Sequence, residues 1–185
     1  MKRLFDALNW ALGALMVGFA IWAWSHLPDQ VPTHFGISGH PDAWSQKTPY
    51  SWFSLPAVGI GLVTFLGFFR TFIPSHPRWV NLPDGHCLAE LPEACQRQVL
   101  EMLSGFLALV QTEILVIFGL IHWASFRSAM GMHSQAIMIL VLFLAVLTSP
   151  FLVIVFFLRF QAAMDRGMQV SRRAEAGTTG PRGES

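Results

Sequence analysis

Five side chains able to titrate or to ligate a metal fall in one polar stretch of the sequence: His26, Asp29, His34, His40 and Asp42. Three imidazoles and two carboxylates suit a zinc-type ion by ligand chemistry. The spacing His34-x5-His40-x-Asp42 matches no defined metal motif, so His34, His40 and Asp42 stand as metal candidates on residue type alone. A hydrolase needs a nucleophile beside a base, and no such pair is identified in the stretch. The expectation is a protein without catalytic residues and without a cofactor.

A second place for chemistry is Glu113, in the middle of an apolar run. A charged carboxylate at that depth costs about 2.5–3.5 kcal/mol. A neutral, hydrogen-bonded acid avoids the cost. Gln111 and Thr112 are its chain neighbours, but helical geometry points them elsewhere. The partner must come from another span, and Thr148 and Ser149 lie at matching depth. The function-bearing alternative is a proton or cation relay. His122, farther along the same run, is placed either beside His34 or at the interface next to Trp123, and the interface is favoured.

Both sites need elements to hold them. Of the 185 residues, 53% are hydrophobic and only 12% are charged. A soluble domain has about 25% charged residues, so this chain cannot cover itself with a solvated surface. A net charge of +1 gives no pull toward nucleic acid. Four apolar runs are long enough to cross the hydrocarbon as helices: about 4–24, 52–73, 102–123 and 136–160. The predicted fold is an all-α membrane protein in which residues 1–160 form a four-helix transmembrane domain. A structured extracytoplasmic loop, 25–51, joins helices one and two. Lys2 and Arg3 precede the first run as in a secretion signal, but that run exceeds the usual core of about 7–15 residues. A retained anchor is expected.

Lysine and arginine placement sets orientation. Lys2 and Arg3 precede span one, Arg70, Arg78 and Arg97 surround the second connection, and Arg159, Arg166, Arg172, Arg173 and Arg182 follow span four. The other two connections hold only Lys47 and Arg127. Both termini are therefore expected in the cytoplasm, and the 25–51 loop outside. Trp22, Trp24, Trp44, Trp52 and Trp123 are expected to form a belt at the outer headgroup level. Residues 161–185 read as a disordered cytoplasmic tail. Ala14/Gly18 and Ala57/Gly61 have the spacing of close helix contacts. Pro150 is expected to kink span four, with Thr148 or Ser149 covering the carbonyl it frees. Arg97 and Glu101 are expected to pair. Cys87 and Cys95 read as free thiols.

The 25–51 loop is punctuated like a folded element. Pro28, Pro32, Pro41 and Pro49 fix backbone angles, and Gly36 and Gly39 permit turns. Phe35 and Trp44 argue for packing. The run Leu27-Pro28…Val31-Pro32-Thr33-His34-Phe35…Gly39…Pro41-Asp42…Trp44…Lys47 resembles the signature of the domain of unknown function 1648 family. Asn81-Leu82-Pro83 is similar to an Asn-x-Pro element of the same family. Members often carry Asn where this chain has Gly36. The family includes the N-terminal part of SdpI-type membrane proteins of Gram-positive bacteria, which have further spans.

The resemblance implies the module rather than the immunity role itself, and the function expected is that of an immunity or sensing protein of the bacterial inner membrane. It implies recognition through Pro32, Thr33, His34, Phe35, Gly39, Pro41, Asp42, Trp44 and Lys47. The expected partners are the lipid bilayer, a peptide or membrane protein at the outer loop, and a second copy of the chain. The alternatives are a small ion-coupled transporter or accessory subunit built on Glu113, and a metal-dependent membrane enzyme.

Overall fold

A computed structural model describes residues 2–81 and 87–178, with side chains over 3–81 and 87–166. Four helices dominate: α1 (Lys2–Trp24), α2 (Pro49–Ser75), α3 (Glu93–Ala129) and α4 (Gln135–Thr178). Each is long and apolar enough to cross a membrane. Two strands, β1 (Gln30–Phe35) and β2 (Pro41–Gln46), fill the connection between α1 and α2. The all-α expectation therefore misses one element. Pro32 and Pro41 break the alternation that marks a strand, and each run is only six residues long.

α3 is the central helix and packs against each of the other three. The close approaches among α1, α2 and α3 fall at glycines other than those expected. A methyl added to Gly59 on α2 would stand 3.0 Å from the Phe118 ring of α3 and 3.3 Å from Met16 of α1. One added to Gly13 on α1 would stand 3.4 Å from Ile60. Gly18 and Gly61 have open space instead, and Ala14 and Ala57 are exposed. The small-residue pairs are correctly spaced but rotated away from the contact.

Two apolar clusters close the ends of the bundle. At one end Ala23, Leu27, Val31, Trp52 and Phe126 join α1, β1, α2 and α3. At the other, Leu88, Cys95, Val99 and Met164 join the α2–α3 connection to α3 and α4. This second cluster reaches into the segment expected as the tail. Residues 161–178 continue α4, because Ala163 and Met164 are buried there and the segment holds good helix formers with no proline. Residues 179–185 lie outside the described residues. So do Leu82 and Pro83, leaving Asn81 of the Asn-x-Pro resemblance, and so does His86.

Several local expectations change. Trp52 is not part of a headgroup belt: it is 2% exposed, and its indole N–H donates to the Ala20 carbonyl at 2.9 Å. Arg97 pairs with Glu93 at 3.3 Å rather than with Glu101, on an exposed helix turn where acid-before-base order is favoured. Pro150 sits inside α4, yet neither neighbouring hydroxyl turns to the carbonyl one turn back at Val146. Thr148 bonds the Leu144 carbonyl at 2.6 Å, and Ser149 reaches across to α3.

Candidate functional site

The motif segment folds as an antiparallel hairpin, with Val31 opposite Ser45, Pro32 opposite Trp44 and Phe35 opposite Pro41. The register shifts on either side of His34, as in a bulge. Two strands alone are marginal in water, so the hairpin needs the bundle. β1 packs on α3, and Val31 is buried in the apolar cluster at that end.

The base of the hairpin is tied by Lys47. Its ammonium donates to the Leu27 carbonyl at 3.1 Å and lies 4.8 Å above the Trp24 ring. Its backbone N–H donates to the Asp29 carbonyl at 2.7 Å. Thr48 then caps α2 through a reciprocal exchange with Ser51. The tip is tied by Gly39. Its φ of +78° closes the turn after Gly36-Ile37-Ser38. A methyl there would stand 3.1 Å from the Gln135 carbonyl oxygen and 3.2 Å from its Cα, so the hairpin tip rests on the backbone of α4's first residue.

The nine motif residues divide by exposure. Pro32 and Gly39 are buried, and Phe35, Pro41 and Lys47 are half-buried; these hold the hairpin. Thr33, His34, Asp42 and Trp44 are exposed. His34 Nδ1 donates to Asp42 Oδ1 at 2.5 Å across the two strands. That places a polar pair on a backbone fixed at both ends. His40 does not join it. Its Nε2 meets the Gln135 side-chain nitrogen at 2.5 Å. His26 turns back to the Trp22 carbonyl at 2.9 Å. Among the described residues, no three His, Cys, Asp or Glu side chains come together for a metal, so His34, His40 and Asp42 form no common site. A cavity of about 230 Å³ lies beside the tip, lined by His40, Pro41, Ser128, Met132, His133 and Gln135.

Glu113 is bonded as its depth demands. Ser149 donates to its Oε1 at 2.8 Å, and Thr148 bonds the same oxygen. The acid thus joins α3 to α4. His122 is inside the bundle rather than at its surface. It is 1% exposed, its ring lies 4.0 Å from that of Trp52 and edge-on to Phe19, and its Nε2 has no hydrogen-bond partner.

A second polar array within the bundle escapes a linear reading. Arg70 on α2 bonds Asp6 of α1 at 2.8 Å, Gln111 of α3 at 2.8 Å and Ser104 at 3.5 Å. Gln111 donates to the Val63 carbonyl at 2.8 Å. Asn9 donates to the Ala108 carbonyl and accepts from Thr112 at 2.7 Å. The available signal was the placement of Asp6 and Asn9 three residues apart, on one face of an otherwise apolar helix. At the far end Cys87 and Cys95 are free, and the Cys87 thiol faces the Arg78 carbonyl at 3.3 Å.

An uncharacterized protein of Archaeoglobus fulgidus is 35% identical over 80 residues, covering 41% of this chain and 43% of the relative. The chain thus spans under half the length of that curated relative. No solved structure matches. Residues 11–60 match the family described as "Domain of unknown function (DUF1648)", a stretch that holds the whole hairpin, the second half of α1 and the start of α2.

Proposed function

We propose that this multi-pass membrane protein acts without chemical turnover, as an immunity or sensing component of the cytoplasmic membrane. In this reading the hairpin faces outward and recognises a peptide or a membrane-protein partner. The observation that carries it is the division of the motif. Five of its nine residues fasten the hairpin, and the other four are exposed, the His34–Asp42 pair among them. A pair held on a pinned backbone loses little freedom when a partner docks, which favours binding. The lysine and arginine bias supports the outward placement.

The test is a deletion strain challenged with toxic peptides and envelope stresses. Wild type should restore protection, whereas His34→Ala and Asp42→Ala should not, at equal levels in the membrane. Full protection by both variants would end the reading.

A second reading rests on Glu113. Thr148 has one hydroxyl proton and two acceptors within reach, the Leu144 carbonyl and Glu113 Oε1. A proton on Glu113 satisfies all three groups, and such an acid is suited to an ion-coupled step. Proteoliposomes carrying the wild type would then show a pH-dependent flux that Glu113→Gln abolishes. No flux in the wild type disposes of this alternative.

A further inference from the structure

We infer that the cavity beside the hairpin tip is a binding site for a soft monovalent cation, Cu(I) by ligand chemistry, held by His40, His133 and the Met132 thioether. All three residues line the one cavity. His40 comes from the hairpin, and Met132 and His133 come from the short connection between α3 and α4.

That connection is held in shape by its own backbone. The Met132 N–H donates to the Arg127 carbonyl at 2.8 Å, and the Gly131 N–H to the Ser128 carbonyl at 3.0 Å. The Arg127 guanidinium donates to the His133 carbonyl at 3.1 Å, and Ser128 bonds Ser134 at 2.6 Å. The two ligand-bearing residues therefore sit on a set turn, which lowers the ordering cost of binding. The partner of His40 fixes its place. Its Nε2 lies 2.5 Å from the Gln135 side-chain nitrogen at the start of α4, which holds the ring at the cavity wall. A copper ion taken at this nitrogen displaces the Gln135 contact.

The donor set then selects the ion. No carboxylate lines the cavity, which disfavours magnesium, calcium and manganese. Two imidazoles do not complete the four-donor shell of structural zinc. A thioether with imidazoles is a soft, neutral set that suits Cu(I). This site shares no proposed ligand with the His34–Asp42 pair, so the two proposals stand or fall separately.

The test is anaerobic titration of the full chain in detergent with Cu(I), against a colorimetric copper chelator. Wild type should withdraw a single equivalent. Met132→Leu and His133→Ala should each weaken binding by about 10-fold or more, with helicity unchanged by circular dichroism. X-ray absorption should find a sulfur neighbour of copper in the wild type and none in Met132→Leu. Zn²⁺ in the same assay should bind without stoichiometry. A wild type that withdraws no copper overturns the assignment. So does a sulfur signal that persists in Met132→Leu, or variants that bind as the wild type does.

Discussion

The hairpin and the bundle interior use polar side chains in opposite ways. At the hairpin, Lys47 and Gly39 meet the backbone of other elements, at the Leu27 carbonyl and at Gln135. Side chains on the outer half of the motif stay exposed. Inside the bundle, Asp6, Arg70, Ser104 and Gln111 bond mainly one another across three helices. The first arrangement fixes a shape and leaves groups available to a partner. The second satisfies polar groups within the bundle, of which Arg70 and Gln111 are largely cut off from solvent. Mutations should separate the two: interior changes act on stability, and exposed hairpin changes act on function.

The largest stability loss is expected from Arg70→Met. It strands the Asp6 carboxylate and the Gln111 carbonyl oxygen together. Breaking a fully buried pair costs about 3–5 kcal/mol. The Asp6 side chain is 36% exposed, so about 2 kcal/mol is expected here. Unfolding in mixed detergent micelles measures it. Adding Asp6→Asn should recover part of the loss, and no recovery would mean that Arg70 acts through packing instead.

Gly39→Ala comes next, at about 1–2 kcal/mol for a left-handed residue with a side chain. The clash with Gln135 should lift the tip from α4. Hydrogen exchange should then rise over 30–46 while the helices keep their protection. Uniform exchange would show that the hairpin is not a separate unit.

Glu113→Leu should cost about 1 kcal/mol, in line with hydrogen bonds between membrane helices, and Glu113→Gln less. Thr148→Val combined with Glu113→Leu should cost little more than Glu113→Leu alone, because both remove one contact. An additive pair would mean that Thr148 serves only the Leu144 carbonyl.

The smallest effect on stability is expected for His34→Ala, within about 0.5 kcal/mol, as at other exposed sites. The same variant carries the functional loss proposed above. A large destabilisation by His34→Ala would erase the distinction between the two regions.

The two regions also differ in how far they can be read from the chain. The four spans are legible because hydropathy is a local property. Glu113 and its partners Thr148 and Ser149 are legible because an acid at that depth admits few solutions. The hairpin is half legible: its turn residues are plain, but its prolines hide the strands. The Arg70 array is not legible, since Asp6 and Gln111 are far apart in sequence and meet only through packing. Arg70 counts as a topology-setting charge in a linear reading, yet its guanidinium turns inward to α3. The glycines make the same point. Gly18 and Gly61 have the expected spacing, but helix rotation gives the contact to Gly13 and Gly59. His122 differs again, because nothing local tells a buried ring from one at an interface.

The seat of Gly39 on Gln135 has a mechanical consequence. α4 is 44 residues long, about 66 Å at 1.5 Å per residue, against a hydrocarbon layer of about 30 Å. The hairpin tip bears on the first residue of that rod. Any load that moves the tip must either break this seat or tilt the rod. A tilt is carried along the helix to Met164, about 44 Å away at 1.5 Å per residue, which packs against Leu88 and Val99. The motif and the opposite end of the bundle are thus the two ends of one lever.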